Sequence, residues 1–183
     1  MYEVEVKSKL NNREEVKAKL ESLGCKFGEE LHQVDYIFIP KDVVFPPPYE
    51  VPVLRVRKQN SKSIFTMKIS KTSRQDVIEK EFEISDGDRM IEVLGLIGYK
   101  QVPMVDKKRI KTNYQDMEIV LDIVKDLGEF IEAEKIVTHE DPKERIKIQT
   151  ELLDFLEQIG VPREDQVING KYDIMLFEKY GIN

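Results

Sequence analysis

The 183-residue chain has no tryptophan, one cysteine and two histidines. The lone Cys25 excludes an intramolecular disulfide and any cysteine-rich zinc site. At the head of an expected strand, it reads as a small core residue and not as a nucleophile. His32 and His139 stand far apart with no metal-ligand spacing around them, and both read as surface or loop residues. No run approaches the ~18 apolar residues of a membrane span. The opening MYEVEVKSKL is charged by its third residue and lacks an apolar h-region, so it does not read as a signal peptide. Glycine-rich phosphate loops and serine-nucleophile elbows are missing as well. These absences point to a cytoplasmic protein with no membrane partner. With no repeat, low-complexity tract or linker, residues 1–183 are expected to form one domain large enough to bury its own core.

What the chain has in excess is charge. Charged residues make up 35% of it, against roughly 25% in ordinary soluble domains. Acidic residues number 35 and basic ones 29, so the net charge is 29 − 35 = −6. A nucleic-acid binder usually carries a basic excess, so no nucleic-acid partner is expected.

The charges recur with a period of two. In Tyr2–Leu10, Glu3, Glu5, Lys7 and Lys9 share one face and Val4, Val6 and Leu10 the other, which is a strand signature. The same alternation marks Val53–Gln59 (Arg55 and Arg57), Ser63–Ser70 (Thr66 and Lys68) and Val77–Ile84 (Glu79, Glu81 and Glu83). Further strands are expected over Cys25–Ile39, over Tyr99–Thr112 with a break near Pro103, over Asp116–Val124 and over Phe130–Val137. Helices are expected from the cap Asn12 to about Leu23, from Asp86 to Leu96 and from Pro142 to Ile159, with Gly24 and Gly160 as stops. A short segment follows at Asn169–Tyr180. Pro40–Pro52, with three consecutive prolines, reads as a surface loop, either a connector or a lid. Strands in succession with few helices suggest an antiparallel sheet, and about eight strands are enough to close it.

The plainer reading of such alternation is a sheet with one wet face. Three features oppose it. The polar face carries almost no Thr, Ser or Gln. Like charges sit beside each other within strands, Glu81 with Glu83 and Arg55 with Arg57, at a cost in stability. The amphipathic helices need an apolar surface to cover, so a closed sheet with helices outside leaves the charged face as a lumen. The expected fold is therefore α+β, an eight-stranded antiparallel barrel with a charged lumen. Converging Arg and Lys suit a polyanion. Carboxylates in the same space suit a hard cation, Mg²⁺ or Mn²⁺, that would bridge them to phosphate oxygens.

The Glu3-Val4-Glu5-Val6-Lys7 strand resembles the first-strand signature of the CYTH family, the triphosphate tunnel metalloenzymes. Leu54-Arg55-Val56-Arg57, Thr66-Met67-Lys68, Glu79 to Glu83, Lys107-Lys108-Arg109, Glu118 to Asp122 and Leu127 to Glu134 resemble its later motifs, in order. The resemblance implies a triphosphate bound inside a barrel. It assigns Lys7, Arg55, Arg57, Lys68, Lys107 and Arg109 to the phosphates. Glu3, Glu5, Asp122, Glu132 and Glu134 are assigned to one or two divalent cations, with Glu81, Glu83 and Tyr172 as further candidates. Glu5, Lys7 and Glu134 are the expected catalytic residues. Two departures stand out. Where the family often has Ser-Tyr this chain has Lys171-Tyr172, so only Tyr172 is carried over. The arginine that often precedes the central acidic strand is nearest at Arg74, several residues upstream.

Two reactions share this geometry, cyclisation of ATP to cyclic AMP and pyrophosphate, and hydrolysis of tripolyphosphate or an organic triphosphate such as thiamine triphosphate. In either, one carboxylate or a metal-bound water serves as base. The chain most resembles the class IV adenylyl cyclases, so cyclisation is placed first, hydrolysis second and a non-catalytic polyphosphate- or nucleotide-binding module third. The expected partner is a nucleoside or inorganic triphosphate, bound by a monomer or homodimer.

Overall fold

A computed structural model describes residues 2–71, 76–138, 141–168 and 171–181. Arg74, His139 and the first two residues of the Asn169–Tyr180 segment lie outside these. Strands and helices alternate as β1 (Tyr2–Lys9), α1 (Arg13–Ser22), β2 (Leu31–Pro40), β3 (Pro52–Gln59), β4 (Lys62–Ser70), β5 (Asp76–Ile84), α2 (Gly87–Leu96), β6 (Tyr99–Gln101), β7 (Val105–Tyr114), β8 (Met117–Val124), β9 (Gly128–Val137), α3 (Pro142–Gln158) and α4 (Tyr172–Tyr180), with a short 3₁₀ turn at Arg163–Asp165.

Eight strands close into an antiparallel barrel in the order β3-β4-β5-β1-β9-β8-β7-β2, and β2 pairs back onto β3. The fold expected from the alternation is the fold observed. The break near Pro103 has a defined role. It divides β6 from β7, and the two take successive lengths of β2, β7 from Leu31 to Asp35 and β6 from Phe38 to Pro40. Closure between β1 and β5 rests on two described pairs, Glu3 opposite Val77 and Val4 opposite Asp76. Farther along β1, Ser8 bridges Gln166 and the Val167 N–H donates to the Lys7 carbonyl at 2.8 Å, so the stretch after the 3₁₀ turn completes that part of the wall.

Alternation sorts the strand residues. Val4, Val6, Ile119, Leu121, Ile131 and Ala133 face outward and are buried under α1 and α3, which contribute Val16, Leu20, Leu152 and Leu156. On the far side Phe38, Leu54 and Val56 are covered by α2 through Leu94. The Asp86 carboxylate caps α2 by accepting from the Arg89 N–H at 2.9 Å. α1 and α3 each end at a glycine in the left-handed region, Gly24 (φ 89°) and Gly160 (φ 96°), as a helix stop requires.

α4 behaves differently. Tyr172, Ile174 and Leu176 pack with Ile37, Val105, Val124 and Phe130, apolar residues that share strand faces with the charged residues Asp35, Lys107, Asp122 and Glu132. The helix thus lies across one end of the barrel. The proline-rich loop joins it there. Phe45 is buried, its ring edge-on to Phe177 of α4 at 5.1 Å, and with Pro47 it lines the interior. This loop is packed wall, tied to α4. At the opposite end the Glu81 and Lys111 side chains are 41% and 42% exposed, so that mouth is open.

One expected strand starts late. Cys25–Ile39 was expected as a single strand, but β2 begins at Leu31. The Cys25 N–H still donates to Leu20 of α1 at 3.1 Å, and the Lys26 carbonyl and Gly28 N–H bond to Thr112 and Lys111 of β7, so these residues cross the wall instead of joining it. Cys25 is buried in the core as expected. His32 is exposed, but it lies within β2 and pairs with Asp106 at 2.7 Å.

Leu152 is fully buried between α3 and the barrel. Leu152→Ala is expected to lower the unfolding free energy by about 2–5 kcal/mol; a chemical denaturation curve with an unchanged midpoint would contradict this packing.

Candidate active site inside the barrel

The inward faces of the strands enclose about 1190 Å³, counting space open to solvent at the mouth. The register sets charges opposite one another. Asp35 of β2 lies across from Arg57 of β3, and Asp122 of β8 across from Arg109 of β7. Arg57 donates to both Asp35 oxygens, from Nε at 2.6 Å and from Nη2 at 2.9 Å. Arg109 does the same to Asp122 at 2.7 and 2.6 Å and also donates to Glu132 at 3.0 Å. Lys7, opposite Glu132 on β1, holds the other Glu132 oxygen at 3.0 Å. Lys107 stands between the two aspartates, 3.8 Å from each. The Tyr172 hydroxyl of α4 donates to Asp122 at 2.9 Å, and its ring faces the Lys7 ammonium at 4.1 Å.

Burial works against every one of these charges, and pairing decides which survive. Burial alone would raise the Asp35 carboxyl, but Arg57, Arg55 and Lys107 hold it well below the usual carboxylate range. Glu132 is likewise held low against burial by Lys7, Arg109 and Lys107. Lys107 is pushed the other way. Burial and the neighbouring Arg109 bring it down to about 7, against the opposing pull of its two aspartates.

Nearer the mouth, Arg55 donates to Thr66 and Glu81, each at 2.9 Å, and Lys68 contacts Glu79. Lys111 pairs with Glu118 at 2.6 Å. Between these groups runs an acidic row. Glu5 of β1 is directly opposite Glu134 of β9, which is opposite Glu118 of β8. Like charges in direct cross-strand register repel. Burial, then Glu3 and Glu118, raise the Glu134 carboxyl to about 8. Burial and Glu79 raise Glu3 to about 7 despite the opposing charge of Lys68. Among the described residues no three acidic, imidazole or thiol groups stand close enough to chelate an ion as placed. The donor set nonetheless fits a hard divalent cation, because the row consists of hard oxygen donors whose mutual repulsion a bound cation would relieve.

The residues assigned from sequence therefore divide. Glu3, Glu5, Lys7, Arg55, Arg57, Lys68, Glu81, Lys107, Arg109, Glu132, Glu134 and Tyr172 all line the cavity. Asp122 is fully buried behind Arg109 and Tyr172. Glu83 lies beyond the rim, 60% exposed and paired with Lys62 at 3.0 Å. Sequence reasoning missed Asp35, the one acid of its strand. It also passed over Lys171 and Asp173, which α4 brings to the cavity.

Comparison with known proteins is consistent with this interior. The family model described as the CYTH domain matches residues 1–170. A Methanocaldococcus jannaschii protein named "Putative adenylate cyclase" is 30% identical over 174 residues, covering 94% of this chain and 97% of that one. The solved structure of the PH1819 protein of Pyrococcus horikoshii superposes with a TM-score of 0.80 at 28% identity, covering 97% of this chain and 99% of that one. A Hippeastrum protein, named as an adenylyl cyclase and reported to have a dominant triphosphatase activity, superposes with a TM-score of 0.62 at 19% identity, covering 100% and 98%.

The raised carboxyl pKa values have a thermodynamic consequence. The folded state holds these protons more tightly than the unfolded chain does. The resulting stability is full below the unfolded range, near pH 4, and is lost as pH rises through about 7 for Glu3 and about 8 for Glu134. In chelator, the melting temperature is expected to fall as pH rises from about 5 to about 7, and Glu134→Gln to flatten that slope. A slope that persists unchanged in the variant would count against the acidic row.

Proposed function

Because the chain belongs to the CYTH domain family, we propose that its barrel binds a triphosphate and, with a divalent cation, converts ATP to cyclic AMP and pyrophosphate. The observation that carries the reading is a single cavity in which Arg55, Arg57, Lys68, Lys107, Arg109 and Lys7 converge opposite a row of carboxylates. Cyclisation is preferred to other triphosphate chemistry because the M. jannaschii relative, similar over nearly its whole length, bears that name.

Members of this family use divalent metals. Glu3, Glu5 and Glu134 would hold Mg²⁺ or Mn²⁺, which supplies charge stabilisation at the phosphate oxygens when bound. Asp122 and Glu132 take a different part in this proposal. Both are committed to Arg109, and Glu132 also to Lys7, so they position the cations that grip phosphate. In cyclisation the ribose 3′-oxygen forms a bond to the α-phosphorus, the bond from that phosphorus to the bridging oxygen breaks, and pyrophosphate leaves. Arg57, Arg109, Lys107 and Lys7 offset the charge that builds on the leaving group. A carboxylate of the row left free by the cation, Glu134 or Glu5 opposite it, would take the 3′-hydroxyl proton.

The second reading is hydrolysis, in which water attacks the terminal phosphorus of tripolyphosphate, thiamine triphosphate or another organic triphosphate. The Hippeastrum protein favours keeping it, since the same fold there carries a cyclase name and a reported triphosphatase activity. A non-catalytic triphosphate-binding module is the third.

A product assay separates these. ATP, thiamine triphosphate and tripolyphosphate are each supplied with Mg²⁺ or Mn²⁺. Cyclic AMP with pyrophosphate from ATP is the expected result. Free phosphate would mean hydrolysis, and no product from any substrate would mean a binding module. Turnover is expected to vanish in excess chelator, and undiminished turnover there would defeat the metal assignment. Arg57→Ala is expected to weaken triphosphate binding by about tenfold or more while changing monophosphate binding much less. Equal losses for the two ligands would argue against a clamp built for a phosphate chain.

A further inference from the structure

Lys171 immediately precedes the first turn of α4 and lines the cavity. It is an exception among the cations there. Lys7, Arg55, Arg57, Lys68, Lys107, Arg109 and Lys111 each have a carboxylate oxygen within 4.0 Å. Lys171 makes no ion pair or hydrogen bond through its ammonium with any described residue.

Its surroundings make that lack costly. Burial and the Lys68 ammonium, with a smaller contribution from Lys7, outweigh the favourable charges of Glu5 and Asp173 and bring it down to about 8. The N-terminal end of α4, with its partial positive charge, begins at the next residue. At that end of the cavity Asp173 and Glu5 offset this positive potential only in part, and neither comes within 4.0 Å of the Lys171 ammonium. The wall cations must exchange a carboxylate for a ligand when an anion arrives. Lys171 has nothing to give up, so its contact with an anion is not offset by a lost pair.

We propose that Lys171 is a phosphate-contacting residue supplied by α4, joining Lys7 in holding the part of the triphosphate chain nearest that helix. This rests on the triphosphate reading given above. It adds a ligand from the helix that closes the barrel, so that closure and recognition share one element. It also carries a stability consequence. A buried cation without a close ion pair burdens the ligand-free protein, and replacing it with an apolar side chain of similar length relieves that burden.

The test is calorimetric titration with inorganic tripolyphosphate, together with thermal melts of the ligand-free protein, on wild type, Lys171→Met, Lys171→Arg and Arg57→Ala. Lys171→Met is expected to lose about tenfold or more in affinity while its melting temperature stays level or rises, and Lys171→Arg to keep most of the affinity. Binding by Lys171→Met within twofold of wild type, with Arg57→Ala clearly impaired, overturns the role of Lys171 and leaves the triphosphate reading intact. A lowered melting temperature in Lys171→Met, with no recovery of affinity in Lys171→Arg, also overturns it, because it marks a structural residue. No tripolyphosphate binding by wild type, with or without Mg²⁺, overturns the triphosphate reading itself.

Discussion

Asp35 and Asp122, both shut away from water, hold the inside of the barrel in register. Each accepts two parallel hydrogen bonds from an arginine on the next strand, so each fixes both the position and the plane of a guanidinium. Moving such ions out of water costs several kcal/mol apiece, and only close, fully bonded geometry offsets it. The remaining interior charges follow from these two pairs. Lys107 is caught between the aspartates at equal distance, Glu132 shares the Nη2 of Arg109 with Asp122, and Lys7 completes the line. Removing one partner of such a pair typically costs about 3–5 kcal/mol. The binding groups are thus rigid before any ligand arrives, which suits an anion with several fixed charges.

A charged interior dictates the exterior. The core that an ordinary small barrel keeps inside has moved to the outer wall, where α1 and α3 cover one side and α2 another. The two layers share each strand, one residue in and the next out. The net charge of −6 therefore describes little of the molecule. It averages a basic ring and an acidic row that occupy one cavity.

Alternation made most of that cavity legible in the sequence, because a period of two assigns a face without knowledge of the partner strand. Glu3, Glu5 and Lys7, or Arg55 and Arg57, declare the lumen by repetition. Asp35 does not. It is one acid beside Tyr36, Ile37, Phe38 and Ile39, and its meaning depends on the strand pairing that sets Arg57 opposite. Lys171 is not carried over because it stands where the family often has serine, and helical periodicity does not reveal that a helix laid across a barrel end presents its first residues to the lumen. Glu83 erred in the opposite sense. It keeps the parity of Glu79 and Glu81, but its strand has by then passed the rim, where Lys62 meets it in solvent. The late start of β2 has the same kind of cause, since Lys26 and Gly28 are captured by β7 across the wall.

The position of β1 in the sheet bears on how the chain acquires its cavity. Its first residues pair with β9 along nearly their whole length, Lys7 opposite Glu132 and Lys9 opposite Phe130, and its remaining edge is completed by Gln166 and Val167. Such contacts join the two ends of the sequence, and contacts of that span form slowly. On a ribosome β1 must wait for β9, with alternating charged and apolar side chains and no partner on that edge. Assembly of the binding chamber is therefore a late, all-at-once event. A chain cut short before β9 would carry nearly every cation that lines the cavity and still enclose no cavity.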